Sequence, residues 1–218
     1  MDELIGGLLD DLPSADGAAA RAVEDRSRQV LRPAGAFARL DRVASWLAGW
    51  QGTDKPSVRS PAAVVFMADH GVASEGVSAY PAEVTGAMLR ALQGGVATAS
   101  VLARAVGAEL VAIMGATLEA RLRSVPVVLD GFVATAAVAP LDVARPGALD
   151  HAIAGHRSSE PGHELLLAKL GKEPLLELDL RLGEGSGGLL AVPLIRLAAA
   201  AVTDVATFSE WGLEEARP

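Results

Sequence analysis

From Ala62 onward, short apolar runs alternate with longer stretches of helical spacing, and this alternation constrains the fold more than any other feature of the chain. Ala62–Met67 and Leu110–Met114 are continuous apolar runs of strand length, as is the SVPVVL segment from Ser124 to Leu129, and Pro174–Leu182 is a further candidate. Between them, Glu83–Val106 carries Val84, Met88 and Leu92 and then Ala99, Leu102 and Val106, a helical stripe relaxed around Gly94-Gly95. Ser158-Ser159-Glu160-Pro161 reads as a helix start with a serine cap and a proline in the first turn. A final helix from about Gly188 to Thr207 is apolar nearly all round and is expected to be largely buried. Strands separated by helices pair in parallel and are covered on both faces, so the expected class is α/β. The composition agrees: half the residues are apolar but only 4% are aromatic, which suits helices packed closely on a sheet.

Upstream, residues 17 to 50 form an Ala/Arg-rich helical pattern broken near Pro33-Ala34-Gly35, with Leu40, Val43, Trp46, Leu47 and Trp50 at spacings of three and four. A polar stretch from Gln51 to Pro61 follows. The expected division is an N-terminal helical region over 1–60 and an α/β core over 61–218, with the last helices packing against the N-terminal region.

Charge and residue usage exclude several function classes. A net charge of −8, without a Lys/Arg-rich run, opposes a nucleic-acid partner. The absence of cysteine removes disulfides, thiolate metal sites and a cysteine nucleophile, and makes the cytoplasm the default location. The acidic MDELIGGLLDDLP start is wrong for a secretory signal. No clean membrane span is expected, since the most apolar stretch, Gly187–Val202, contains Pro193 and Arg196.

Gly183-Glu184-Gly185-Ser186-Gly187-Gly188 lies between a predicted strand and a predicted helix, where backbone N–H groups and the helix dipole suit an anion or a polar ligand. A purely structural glycine turn fits the same residues. Gly183, Gly185 and Gly188 also match G-x-G-x-x-G with Asp204 downstream, but no strand precedes Asp204, which argues against a dinucleotide cofactor. Asp69-His70-Gly71 follows a strand end, the usual ligand edge of an α/β sheet, and equally fits a capped loop. His151, His156 and His163 are spaced unlike ligands on one helix face, so no metal is expected. Ser186 lacks the G-x-S-x-G context of a hydrolase nucleophile, and Ser158 and Ser159 read as helix caps.

Longer segments carry a resemblance. Met67–Thr85 (MADHGVASEGVSAYPAEVT) and Val127–Phe132 (VVLDGF) are similar to two signatures of the nicotinate-nucleotide:dimethylbenzimidazole phosphoribosyltransferase family. The similarity continues through Ile153–His163, Glu173–Leu176, Arg181–Gly187 and Ala206–Phe208. The resemblance implies a Rossmann-like parallel sheet flanked by helices, a small helical part built from both termini, and a homodimer. It implies transfer of phosphoribose from nicotinate mononucleotide to 5,6-dimethylbenzimidazole, giving the α-ribazole 5'-phosphate of the cobalamin lower ligand, with no cofactor. By the same resemblance Glu184 is the base, and Ser78, Ala79 and Tyr80 line the benzimidazole slot. Asp69, His70, Leu182, Gly183, Gly185 and Ser186 complete the expected substrate-binding set. The chemistry suits a carboxylate: one ring nitrogen attacks the anomeric carbon as nicotinate leaves, and the other must shed a proton.

The chain departs from the family pattern at two places. Ala87 stands where family members usually have a glutamine facing the base. Leu110–Ala116 nearly abuts Arg121–Pro126, where the family has a long segment with a G-I-G-N-T-T phosphate loop. Two readings follow: an active phosphoribosyltransferase, and a homologue that binds a benzimidazole or a full-length partner without turnover.

Overall fold

The computed structural model describes residues 12–33, 35–65, 83–111 and 116–213. Helix α1 spans Gly17–Gln29 and starts at Asp16, whose carboxylate accepts the N–H groups of Ala18 and Ala19 at 2.8 and 3.1 Å. Helix α2 spans Ala38–Gln51 and stops at Gly52, which is left-handed at φ 61°. The break expected near Pro33 is where Val30 forms an antiparallel bridge with Thr207, joining the two ends of the described chain.

Among the described residues, five strands pair in parallel in two groups. In the first, β1 (Ala62–Val64) pairs with β2 (Glu109–Val111), with α3 (Glu83–Gln93) and α4 (Thr98–Val106) between them in sequence. Gly95, at φ 75°, makes the break between these two helices. In the second, β4 (Ala152–Arg157) is central, with β3 (Val127–Leu129) and β5 (Pro174–Glu177) on either side. Helices α5 (Ala116–Leu122), α6 (Phe132–Ala144) and α7 (Pro161–Lys169) make the connections. The chain is α/β, and its described strands pair in parallel, as the sequence pattern leads one to expect.

Helix α8 (Ser186–Thr203) unites the pieces. Leu189 packs with Ala63, Val65, Leu92, Ala99 and Ala103 of the first group. Further along, Ile195, Ala198, Ala199 and Val202 pack with Val23, Val43, Ala44 and Leu47 of α1 and α2, and Val128, Ile153 and Leu175 of the second sheet adjoin the same cluster. By length and composition alone α8 could cross a membrane, yet more than half of its length is buried in these contacts, as a core helix requires. Pro193 sits inside it without ending it.

One local expectation is corrected. Ser158 and Ser159 do not cap α7: its cap residue is Glu160, which makes no side-chain cap bond, although Pro161 does occupy the first turn. Ser158 is buried, and its Oγ accepts the N–H of Phe132 at 3.2 Å, so it satisfies the start of α6 instead.

Candidate active site

The candidate base Glu184 lies in the turn between β5 and α8, at the carboxyl edge of the second sheet. Gly183, Glu184 and Gly185 follow one another at φ 81°, 63° and 78°. Glycine adopts this left-handed region freely, but for a glutamate it costs about 1–2 kcal/mol. Such a residue persists only where its surroundings over-determine it.

Those surroundings converge from several elements. Asp130, immediately after β3, accepts the N–H of Gly188 on Oδ1 at 2.9 Å and that of Gly185 on Oδ2 at 3.2 Å. Gly185 is the cap residue of α8 and has no side chain for the task, so a carboxylate from another strand caps the helix. Ser186 adds a bond from its Oγ to the Gly183 carbonyl at 2.8 Å. Ser159 N–H reaches the Leu180 carbonyl at 3.1 Å and ties the approach to the turn. At the end of β1, Val65 stands 3.9 Å from where a methyl group on Gly185 would lie. The helix terminus expected to hold an external anion is therefore occupied at these two N–H groups by Asp130.

Close glycine packing completes the seat. The ring of His156, on β4, is buried beside Gly131 and Gly187, and its Nε2 lies 3.5 Å from Asp130 Oδ1, an ion-pair distance rather than a well-formed hydrogen bond. A Cβ on Gly155 would come within 3.0 Å of the Gly188 Cα, so strand and helix meet backbone to backbone. Burial pushes the His163 pKa below its ordinary value. Its Nδ1 accepts the Ser158 N–H at 2.9 Å, and Thr135 donates to the Gly131 carbonyl, so the 3.2 Å contact with Thr135 Oγ1 is a bond from His163 Nε2–H. His151 is elsewhere, edge-on to Trp50.

The two carboxylates near α8 are tuned oppositely. Burial pushes the Glu184 carboxyl above its ordinary value. Burial also acts to raise Asp130, but the attraction of His156 and the bonds from Gly188 and Gly185 outweigh it and hold Asp130 below its ordinary value. The first shift makes Glu184 a better proton acceptor, and the second favours the charged form of Asp130.

Of the expected site residues, the structure brings Leu182, Gly183, Glu184, Gly185 and Ser186 together in one turn, with Leu182 56% exposed. Asp69, His70, Ser78, Ala79 and Tyr80 lie outside the described residues. Asp130 and His156 were not anticipated. Among the described residues no cluster of three or more His, Asp or Glu side chains is placed to hold a metal ion.

The chain matches a phosphoribosyltransferase family profile over residues 12–112 and again over 106–213. It is 32% identical to the nicotinate-nucleotide–dimethylbenzimidazole phosphoribosyltransferase of Methylorubrum extorquens over 339 aligned positions, covering 99% of each chain. It is 31% identical to that of Ruegeria pomeroyi, covering 95% of this chain and 96% of the relative. The crystal structure of the corresponding protein from Thermus thermophilus superimposes with a TM-score of 0.82 at 26% identity, covering 92% of this chain and all of that one. Spreading 218 residues over 339 aligned positions leaves over a third of those positions empty, and the two profile matches meet between α4 and α5. The chain belongs to the nicotinate-nucleotide–dimethylbenzimidazole phosphoribosyltransferase family, as a member shortened in its middle.

Proposed function

We propose that the protein transfers phosphoribose from nicotinate mononucleotide to 5,6-dimethylbenzimidazole, forming α-ribazole 5'-phosphate for cobalamin synthesis and releasing nicotinate. The observation that carries this reading is Glu184, partly buried with a raised pKa, in a strained turn at the carboxyl edge of the sheet. A base there takes the proton from one benzimidazole nitrogen while the other forms the bond to the anomeric carbon. Its negative charge also favours an oxocarbenium-like transition state. Leu182 leaves apolar surface beside Glu184 for a flat ring to cover. On the resemblance alone, the proposal extends to Asp69, His70, Ser78, Ala79 and Tyr80 as substrate contacts, and to a cytoplasmic homodimer.

The shortened middle favours a second reading, a homologue that binds a benzimidazole or a full-length partner without turnover. Calorimetric titration with nicotinate mononucleotide and with 5,6-dimethylbenzimidazole, followed by a product assay, separates the two. Binding of both with formation of α-ribazole phosphate, lost in Glu184→Gln, supports the enzyme. Benzimidazole binding without product supports the second reading.

A further inference from the structure

We infer that Asp130 is the positioning residue for Glu184: its carboxylate clamps the Gly183–Ser186 turn in the conformation that presents the base. The role assigned to Glu184 rests on the function proposed above, whereas the clamp is a matter of geometry.

Glu184 is the middle residue of a left-handed run and lacks the conformational freedom of its glycine neighbours. Asp130 holds the backbone that follows it, accepting the N–H of the next residue, Gly185, and that of Gly188 in the first turn of α8. Both partners are N–H donors, so the clamp needs a group that accepts on both oxygens, which a carboxylate does and an amide or a protonated acid does only by half. The ionisable groups that act on Asp130 are His156 on β4 and His163 on α7, and neither competes for the two N–H groups. The seat has no slack, because Gly187 lies against His156 and Gly155 against Gly188, so loss of the clamp cannot be absorbed by sliding α8 toward the sheet. Asp130 itself touches no reacting atom in this scheme. It acts through the turn.

The direct test needs no variant. In the wild-type protein, NMR should show a through-hydrogen-bond coupling from the Gly188 amide nitrogen to the Asp130 carboxyl carbon, and slow exchange of the Gly185 and Gly188 amides. Asp130→Asn, which keeps shape and one acceptor, and Asp130→Ala should then speed exchange at those two amides, with alanine the larger effect. In the product assay, Asp130→Asn should lower kcat by roughly ten- to hundredfold, the cost of misplacing a reacting group by an ångström or less, while KM for the benzimidazole moves far less. The acid limb of the kcat profile, which Glu184 sets, should also shift. A wild type without the coupling overturns the proposal, as does a folded Asp130→Asn with wild-type kcat and exchange. If wild type makes no product, the proposed function fails, and coupling and exchange alone decide whether Asp130 holds the Glu184 turn.

Discussion

The ring of His156 occupies the space in which any side chain at Gly187 would have to sit: a methyl group there would collide with His156 Cδ2 and Nε2. Gly187→Ala is therefore expected to destabilise the protein by about 1–3 kcal/mol, the usual cost of forced overpacking, as read from urea unfolding. Shrinking the ring in Gly187→Ala/His156→Ala should recover much of that loss. Strictly additive losses in the double variant would show that the contact is not the cause.

Glu184→Gln should abolish the acid limb of the kcat profile and lower kcat by at least about a hundredfold. Its effect on stability has the opposite sign. Burial raises the folded-state pKa, so the stability this carboxyl contributes is full below its unfolded pKa and is lost as pH rises through the folded value. At pH 7 the glutamine variant should thus melt at or above the wild-type temperature. A marked drop in Tm would mean that the carboxylate is structurally needed in its charged form.

His151 is fully buried, and burial pushes its pKa down to about 4. A depressed histidine contributes stability above the unfolded value near 6.5, and this is lost as pH falls toward the folded value. Unfolding free energy should accordingly decline between roughly pH 6.5 and 4, and the His151 ring should not titrate by NMR until the lower end. His151→Gln should flatten that slope. A ring that titrates near 6.5 would contradict the burial described.

Arg26 fastens α1 to the end of α8, donating from Nε to the Val202 carbonyl at 2.9 Å and from a terminal nitrogen to that of Val205 at 3.2 Å. Arg26→Met should cost about 1–2 kcal/mol, less than a fully buried charged pair because the guanidinium is partly solvated. Faster limited proteolysis within α1 would locate the loss at this junction, and cleavage unchanged from wild type would place it elsewhere.

Periodicity made much of the scaffold legible. The break between α1 and α2, the Gly94-Gly95 break between α3 and α4, and the long apolar α8 all follow from spacing and helix-breaking residues. The central strand β4 escaped because Gly155 and His156 interrupt its apolar run, and both are there for tertiary reasons that only β3 and α8 reveal. Helix α6 escaped because it is apolar around much of its circumference, contains Pro140 and takes its first-turn partner from Ser158, distant in sequence. Glu184 stood out as the ionisable side chain in a glycine turn. Asp130 did not, since an Asp-Gly pair after a strand reads as a turn until the residues it caps come into view.

Because α8 touches the β1–β2 pair, the β3–β5 sheet and both N-terminal helices, the architecture has a single keel. More than a hundred residues of a relative have no counterpart in this chain, yet the chain still superimposes on the Thermus thermophilus structure with a TM-score of 0.82. A substitution that displaces α8 is therefore felt in both strand groups and in the N-terminal helices at once.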